Sequence, residues 1–430
     1  MNSFILLGLF LSSFAFANTQ EMILQNGLKI IVKENHKAPV FISQIWYKVG
    51  ASDEPKNLTG ISHMLEHMMF KGTTNYPNDS FSKIIAKLGG QENAFTSKDY
   101  TGYYQKMAIG NLDIALKLEA DRMKNLVFSQ AEFNKERNVV IEERRLRIED
   151  KPNSSLIELF NKNFYQNPYQ RPVIGWMKDI KSYKLSDLKQ WYQRWYIPKN
   201  ATIVVVGDVK TQDVFAKVKK YFSHIKNPTQ QEKLNIELEE VVTKSYISLK
   251  RKANIHFYIF GFPAPSLKTT DNKTTVYALD VLSYVLNKRL EKKLVKKHNI
   301  ASSINVSYSL NDKYDTGFII SFIPSLGQNN RDIKNEILKE IEKIKQTKIT
   351  LKELEVLKTQ LEASFIYAKD SISAQAYTIG ALETVGLSWQ SYEQYLPQIT
   401  KITPSQIQTI AQQLLTKEKI ISAELIPQKF

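Results

Sequence analysis

The stretch GISHMLEHMMFKGT, residues 60–73, places two histidines and a glutamate at helical spacing. His63 and His67 are four residues apart, so on a helix their imidazoles share one face and can reach a single metal ion. Glu66 lies on the same face, where it can accept a proton from a water activated by that metal. The alternative is a chance cluster of polar residues on an amphipathic helix.

A catalytic zinc site with one open position needs a third protein ligand. Glu143, at the end of ERNVVIEE (136–143), is the best candidate. It lies seven residues after Glu136 on a predicted helix over residues 131–148, so both carboxylates can point into the site. Glu142 is rotated by about 100° and should be solvated. The alternative for these carboxylates is surface pairing with the neighbouring arginines Arg137, Arg144 and Arg145.

Local patterns predict strands and helices around these two helices. Residues 22–33 (MILQNGLKIIVK) alternate about Asn26-Gly27, which indicates a hairpin. The helix over residues 60–70 is expected to have Thr59 as its N-cap. Further predicted elements are strands at 40–49, 93–108, 202–206, 246–262 and 304–324, and helices at 80–88 and 274–294.

A pattern of cap, helix and strand occurs twice in the chain. Leu188 and Ile407 are 219 residues apart, as are Val204 and Ala423 (407 − 188 and 423 − 204). Equal spacing at both ends suggests a duplicated α+β unit of about half the chain. The alternative is a chance match.

The N-terminal segment has the pattern of a secretory signal peptide. An apolar run at 4–11 (FILLGLFL) is shorter than the ~20 residues that span a bilayer, and Ala15-Phe16-Ala17 forms an A-x-A cleavage signal. A buried N-terminal strand or helix is the alternative. Export of a chain without cysteine suits a bacterial periplasm. The predicted organisation is a signal peptide (1–17), an N-terminal α+β domain (18–223), a linker (224–241) and a C-terminal α+β domain (242–430).

Composition excludes several classes of site. The 430 residues include no cysteine, which rules out disulfides, Cys-ligated zinc, iron–sulfur clusters and a thiol nucleophile. The net charge of +16 can indicate nucleic acid or an anionic surface. However, the densest basic run, KRLEKKLVKK (288–297), has apolar residues at helical spacing, so we interpret it as a solvated helix face. We expect neither a nucleic-acid partner nor a transmembrane segment.

The motifs together resemble the pitrilysin/insulinase family of zinc peptidases, which carries an inverted H-x-x-E-H motif. The 76 residues from His67 to Glu143 match that family's third-ligand spacing. The length resembles that of the short-chain members, among them the mitochondrial processing peptidase subunits and bacterial relatives. Further matching blocks are GGQENAFTSKDYTGYY (89–104), ERNVVIEE (136–143), NPYQRPVIGW (167–176) and WYIPKNATIVVVGDV (195–209).

The resemblance implies an α+β fold of two similar domains, each a mostly antiparallel sheet packed against helices, in a clamshell assembly with a second chain. It implies one Zn²⁺ held by His63, His67 and Glu143, with Glu66 as the general base and Glu136 as an acidic support. It also implies an edge strand that binds the substrate peptide as an added strand. That strand comprises Asn93, Ala94, Phe95 and Thr96, for which an ordinary paired strand is the alternative.

One departure from the family concerns the second domain, which usually offers an arginine and, seven residues on, a tyrosine that grip the substrate. These positions align with Val295 and Ser302, which cannot do that work. Nearby residues of the right type are Arg289, Tyr308 and Tyr314. Some short-chain members divide this labour between subunits, so we hypothesise that this chain is the zinc-bearing subunit of a heterodimer. Its paralogous partner would supply the Arg/Tyr pair.

We therefore expect a zinc-dependent endopeptidase that hydrolyses peptides or small unfolded polypeptides. The alternative is a non-catalytic scaffold or partner-binding subunit, which would purify without stoichiometric zinc. A third interpretation, a binder of nucleic acid or an anionic surface, rests on net charge alone and predicts salt-dependent retention on DNA.

Overall fold

The computed structural model describes residues 19–228, 236–238, 240 and 243–428. The predicted signal peptide at 1–17 lies outside the described residues. The predicted linker at 224–241 lies partly outside them, and its described residues form neither helix nor strand. In the described part of the chain, no helix combines the length and apolar character needed to cross a membrane.

The first domain consists of a sheet with helices packed on it. Its strands are β1 (Thr19–Ile23), β2 (Lys29–Glu34), β3 (Val40–Tyr47), β4 (Gln91–Thr96), β5 (Thr101–Ala108) and β6 (Ala201–Gly207). Its helices are α1 (Ile61–Met68), α2 (Ser80–Lys87), α3 (Leu112–Asn125), α4 (Gln130–Arg144), α5 (Pro152–Phe164), α6 (Met177–Ser182), α7 (Leu185–Trp195) and α8 (Thr211–Phe222). Strand β6 is buried along its whole length, which explains its apolar run at 203–206.

The strands of the first sheet follow the order β1-β2-β6-β3-β5-β4. Neighbours are antiparallel except β2 and β6, which run parallel. The predicted hairpin about Asn26-Gly27 is present as β1 and β2. Strand β4 lies at the edge of the sheet, with β5 as its one neighbour among the described strands.

The second domain repeats this architecture. Its strands are β7 (Tyr246–Lys252), β8 (Phe257–Ala264), β9 (Ala301–Ser307), β10 (Thr316–Pro324) and β11 (Ile421–Gln428). Its helices are α9 (Lys273–Leu290), α10 (Asn330–Gln346), α11 (Leu351–Ala368), α12 (Ile372–Thr384), α13 (Gln390–Lys401) and α14 (Pro404–Leu414). The sheet order is β7-β11-β8-β10-β9, with β7 and β11 as its parallel pair.

The two sheets have the same topology once β1 is set aside. The order β2-β6-β3-β5-β4 corresponds strand by strand to β7-β11-β8-β10-β9, including the position of the parallel pair. Helix α7 precedes β6 as α14 precedes β11, which is the repeat predicted from the 219-residue offset. The predicted α+β class with two similar domains is therefore confirmed.

Each domain covers the second face of the other domain's sheet with one helix. Helix α5 packs on β11, β8 and β7, and its Phe160 and Phe164 join a core with Ala423 and Leu425. Helix α12 packs on β6 and β3, where Ile379 meets Trp46, Val204 and Val206. This exchange explains why the central strands are apolar on both faces.

Three predicted segments differ locally from the structure. Helix α4 ends at Arg144 and continues as the π-helix Arg145–Glu149, and α9 likewise continues as the π-helix Glu291–Lys297. Leu88, the last residue of the helix predicted at 80–88, lies beyond the end of α2 and is 39% exposed. The basic run at 288–297 spans the end of α9 and the π-helix that follows it, where Arg289 pairs with Glu353 and Lys293 with Glu336. These acidic partners support the interpretation as a solvated helix face.

Candidate metal centre

Helix α1 is fixed at its N-terminus by a buried carboxylate. Glu54 accepts hydrogen bonds from the backbone N–H groups of Gly60 at 2.6 Å and Ser62 at 2.9 Å, which have no partner within the helix. Gly60 is the N-cap and has φ +86°, a left-handed conformation that favours glycine. Thr59 instead donates its hydroxyl to Asp179 at 2.6 Å. The prediction of Thr59 as N-cap is therefore wrong, because Glu54 binds the amides that a cap would bind.

Helices α1 and α4 bring His63, His67 and Glu143 together. Oε2 of Glu143 lies 3.3 Å from Nε2 of His67 and 3.6 Å from Nε2 of His63. One donor atom from each residue lies within 4.8 Å of the others. A tetrahedral zinc ion with bonds of about 2.1 Å separates its ligand atoms by about 3.4 Å. The spacing and the His/His/Glu composition thus fit a zinc ion with an open position.

Glu136 supports this cluster from the side of His67. Its Oε2 lies 3.2 Å from Nδ1 of His67, which leaves Nε2 of that ring turned toward Glu143. Nζ of Lys71 lies 2.6 Å from the other oxygen of Glu136. A carboxylate that holds the distal nitrogen of a histidine fixes the ring orientation and strengthens it as a metal ligand.

The outer oxygen of Glu143 is paired with an arginine. Nη1 of Arg147 lies 2.7 Å from Oε1 of Glu143, so that Oε2 remains directed at the histidines. Glu142 is exposed and pairs with Arg145, as the helical phase predicts. The adjacent carboxylates of α4 therefore differ in environment: Glu143 faces the candidate centre, and Glu142 faces solvent.

The electrostatics of the cluster favour metal binding for two of its members. Burial, reinforced by the neighbouring His67, lowers the pKa of His63 to about 4. Burial also disfavours the charged form of His67, but its contacts with Glu143 and Glu136 outweigh burial and raise its pKa. The contact with His67 lowers the pKa of Glu143. His63 is thus neutral and Glu143 ionised, as ligands must be, whereas the contacts of His67 favour its protonated form, with which a metal ion competes for the ring.

Glu66 turns toward the edge strand. Oγ1 of Thr96 donates a hydrogen bond to Oε2 of Glu66 at 2.5 Å. Burial raises the pKa of Glu66, an effect that the Thr96 hydrogen bond partly offsets. A carboxylate with a raised pKa is better matched to taking up and returning a proton near neutral pH.

A cavity of about 920 Å³ joins the donor cluster to strand β4. The predicted substrate-strand residues Asn93, Ala94, Phe95 and Thr96 line it together with Glu66 and the three candidate ligands. The ring of Phe95 also packs edge-on against Trp46, with ring centroids 4.9 Å apart. Strand β4 thus lines the cavity with a sheet edge that is unpaired among the described strands. Its Phe95 anchors the strand to the core beneath α12.

The second-domain positions that align with the family's Arg/Tyr pair do not line this cavity, whose lining among the described residues falls between 63 and 174. Val295 packs against the second domain's core, and the hydroxyl of Ser302 donates to the carbonyl of Ile323 at 3.2 Å. The nearby candidates have other partners: Arg289 binds Glu353, Tyr308 donates to the Pro265 carbonyl and Tyr314 packs on Tyr169.

Sequence reasoning missed three residues that shape the site. Arg147 and Lys71 each follow a candidate ligand by four residues, Glu143 and His67 respectively, and this helical spacing is a readable signal for a shared face. Glu54 carries no such signal, because it follows a separate 3₁₀ turn (Ala51–Asp53) and its carboxylate reaches α1 through tertiary structure.

Comparison with known proteins agrees with this geometry. Residues 29–176 match the family model described as insulinase (peptidase family M16), and residues 182–361 match the model described as the peptidase M16 inactive domain. The zinc protease PqqE of Helicobacter pylori is 35% identical over 368 residues, which cover 82% of this chain and 81% of that protein.

Solved structures show the same fold. A protease from Helicobacter pylori superposes with a TM-score of 0.88 at 30% identity, and the match covers 96% of this chain and 100% of that one. The periplasmic protease PqqL of Escherichia coli gives a TM-score of 0.80 at 20% identity, with 95% of this chain but 48% of PqqL covered. With the two family models and the Helicobacter relatives in agreement, the resemblance inferred from the H-x-x-E-H stretch is confirmed, and the chain belongs to peptidase family M16, the insulinase family.

Proposed function

We propose that this chain is a zinc-dependent endopeptidase that hydrolyses peptides or small unfolded polypeptides. The observation that carries the proposal is the convergence of His63, His67 and Glu143 beside Glu66, in a cavity bounded by the open edge of β4. A zinc ion held there would polarise the scissile carbonyl and lower the pKa of the attacking water toward ~7.

The chain's own residues supply the remaining steps. Glu66 removes the proton from the attacking water and then delivers it to the leaving amine. Glu136 keeps the ring of His67 oriented, and Thr96 holds the carboxylate of Glu66 in place. The backbone of β4 binds the peptide as an additional strand, which reads main chain rather than side chains and suits an enzyme for unfolded polypeptides.

The test is hydrolysis of a quenched, unstructured peptide by the mature chain (18–430). A chelator should abolish hydrolysis, and stoichiometric zinc should restore it. A chain that purifies without stoichiometric zinc and shows no metal-dependent hydrolysis would instead be the non-catalytic scaffold considered above.

The proposal includes a partner subunit. It is supported by the cavity, whose lining residues in the described chain all come from the first domain, and by the other contacts made by Arg289, Tyr308 and Tyr314. The chain matches about half of PqqL (48%), so a unit of this size can form part of a longer protein. Mixing with a paralogue that bears the Arg/Tyr pair should raise the rate severalfold, whereas an equal rate for the chain alone would refute the partner.

We also propose export, with residues 1–17 as a signal peptide and the periplasm as the destination. The support is the apolar run followed by A-x-A, together with the periplasmic description of PqqL. N-terminal sequencing of the protein recovered from a cell fraction tests this proposal, and a mature N-terminus at residue 18 is the expected result.

A further inference from the structure

One exposed charge at the cavity has no role in the mechanism above. Arg147 lines the cavity, and its side chain is 70% exposed. It belongs to the π-helix Arg145–Glu149 that follows α4, where the wider turn changes the side-chain register. Such π-helical turns recur at functional sites.

The position of Arg147 is set by the candidate ligand four residues earlier. Its Nη1 lies 2.7 Å from Oε1 of Glu143, while Oε2 of the same carboxylate faces the histidines. The guanidinium therefore lies at the margin of the donor cluster, on the cavity side, without occupying the oxygen that would bind zinc. Because Arg147 and the candidate ligands line the same cavity, a peptide bound there would lie near the guanidinium.

The other charged lining residues on this wall are already engaged. Glu158 accepts two hydrogen bonds from Arg144, both at 2.8 Å. Arg171 is buried and donates to the carbonyl of Glu54. Among the described lining residues, Arg147 is therefore the cation that a substrate meets at the surface of the cavity.

The exposure of Arg147 argues against a purely structural role. A guanidinium so open to solvent gains little stability from its ion pair, because water screens the charge. A guanidinium has five N–H donors in a planar fork, and one contact with Glu143 leaves it able to bind a second carboxylate. When a peptide covers the cavity and excludes water, that second pairing strengthens.

We propose that Arg147 is a specificity-determining residue that binds a carboxylate of the substrate, so that this site prefers acidic peptides. The inference rests on the proposed function. The carboxylate has two sources, an Asp or Glu side chain near the scissile bond or the peptide's free C-terminus, and the peptides below separate them.

The test measures binding rather than turnover. Zinc-loaded Glu66→Gln protein is titrated by fluorescence anisotropy with labelled unstructured peptides that differ at one residue, Glu, Gln or Lys. Each peptide is made with a free and with an amidated C-terminus. We expect one carboxylate to improve binding about tenfold over its neutral counterpart. Which of the two sources gives the improvement identifies the group that binds.

Charge reversal provides the decisive comparison. In Glu66→Gln protein, Arg147→Glu should reverse the preference toward the Lys peptide, and Arg147→Lys should retain part of the acidic preference. The matched control is Arg145→Glu, on the same turn but outside the cavity lining, which should leave the preference unchanged. Zinc content is measured for every variant to separate peptide binding from metal loss.

An unchanged Glu-to-Lys ratio in Arg147→Glu would overturn the inference, as would no measurable peptide binding by zinc-loaded protein. An Arg147 variant that loses zinc, but whose remaining zinc-loaded molecules still prefer acidic peptides, would show that Arg147 positions Glu143 instead. Because binding is measured in Glu66→Gln protein, failure of the proposed function would appear separately, as wild-type protein that binds peptides but does not hydrolyse them.

Discussion

At the residue scale, Glu136 is the position where a substitution is expected to change metal affinity while leaving folding largely intact. It is 5% exposed and lies between Lys71, at 2.6 Å, and Nδ1 of His67, at 3.2 Å. It does not belong to the donor cluster itself, since Glu143 supplies the third candidate oxygen. We expect it to fix the orientation and raise the basicity of one candidate ligand, His67, and a measurement of metal affinity reports this directly.

Replacement of Glu136 by Gln should weaken zinc binding by about 10–100-fold, because an amide retains the size of the side chain but not the charge that supports His67. Competition with a chromophoric chelator measures the affinity. The matched control is Glu142→Gln on the same helix, whose exposed carboxylate contacts Arg145. Equal zinc affinities for the two variants would contradict a supporting role for Glu136.

At the element scale, the position of α1 depends on how its N-terminus is capped. Glu54 is fully buried and accepts hydrogen bonds from Gly60 and Ser62. Burial raises the pKa of Glu54 to about 8, although these backbone hydrogen bonds favour the charged form. A raised carboxyl pKa means that folding favours the protonated form. The resulting stability is fully present below the unfolded-state pKa near 4.5 and is lost as pH rises through about 8.

The stability of a Glu54→Gln variant should therefore rise relative to that of the wild type as pH increases. Between pH 5 and pH 8, the difference in free energy of unfolding should shift in favour of Glu54→Gln by at least about 1 kcal/mol, because glutamine does not ionise. Urea unfolding at several pH values measures the shift, and Glu142→Gln should show almost none. A shift in the opposite direction would show that Glu54 is ionised at little cost in the folded protein.

At the scale of the whole molecule, the exchanged helices α5 and α12 join the two domains. One close contact is at Gly380 on α12, where a Cβ atom would lie 2.0 Å from the indole of Trp46 on β3. Trp46 in turn packs on Phe95 of the edge strand. The second domain therefore contacts the edge strand β4 through the core, although the described cavity lining contains none of its residues.

The variant Gly380→Ala should lose about 1–3 kcal/mol of unfolding free energy, because the methyl group overlaps the indole of Trp46. The sign of this change is informative, because replacing Gly by Ala inside a helix otherwise stabilises the protein by about 1 kcal/mol. In a double-mutant cycle, the loss should shrink when Trp46 is replaced by Leu. Additive effects, or stabilisation by Gly380→Ala alone, would contradict the packing described here.

The sequence predicted what depends on local period and spacing. The common face of His63 and His67, the phase of Glu143 against Glu142 and the hairpin at Asn26-Gly27 follow from neighbouring residues. The 219-residue offset likewise anticipated the duplicated topology.

The features that sequence reasoning missed depend on tertiary contacts. The capping of α1 by Glu54, the exchange of α5 and α12 and the Trp46–Gly380 contact join residues that have no periodic relation. The π-helical ends of α4 and α9 were missed as well, because an α-helical pattern does not signal a change of hydrogen-bond register.

The central claim is that Glu66 acts as the base beside a metal held by His63, His67 and Glu143. The most direct test compares hydrolysis of one unstructured peptide by wild type and Glu66→Gln at equal zinc content, each alone and with the Arg/Tyr-bearing paralogue. We predict that the variant keeps its zinc and loses about 10²–10⁴-fold in rate. Equal rates for the two proteins, or no hydrolysis by zinc-loaded wild type even with the paralogue, would contradict the account.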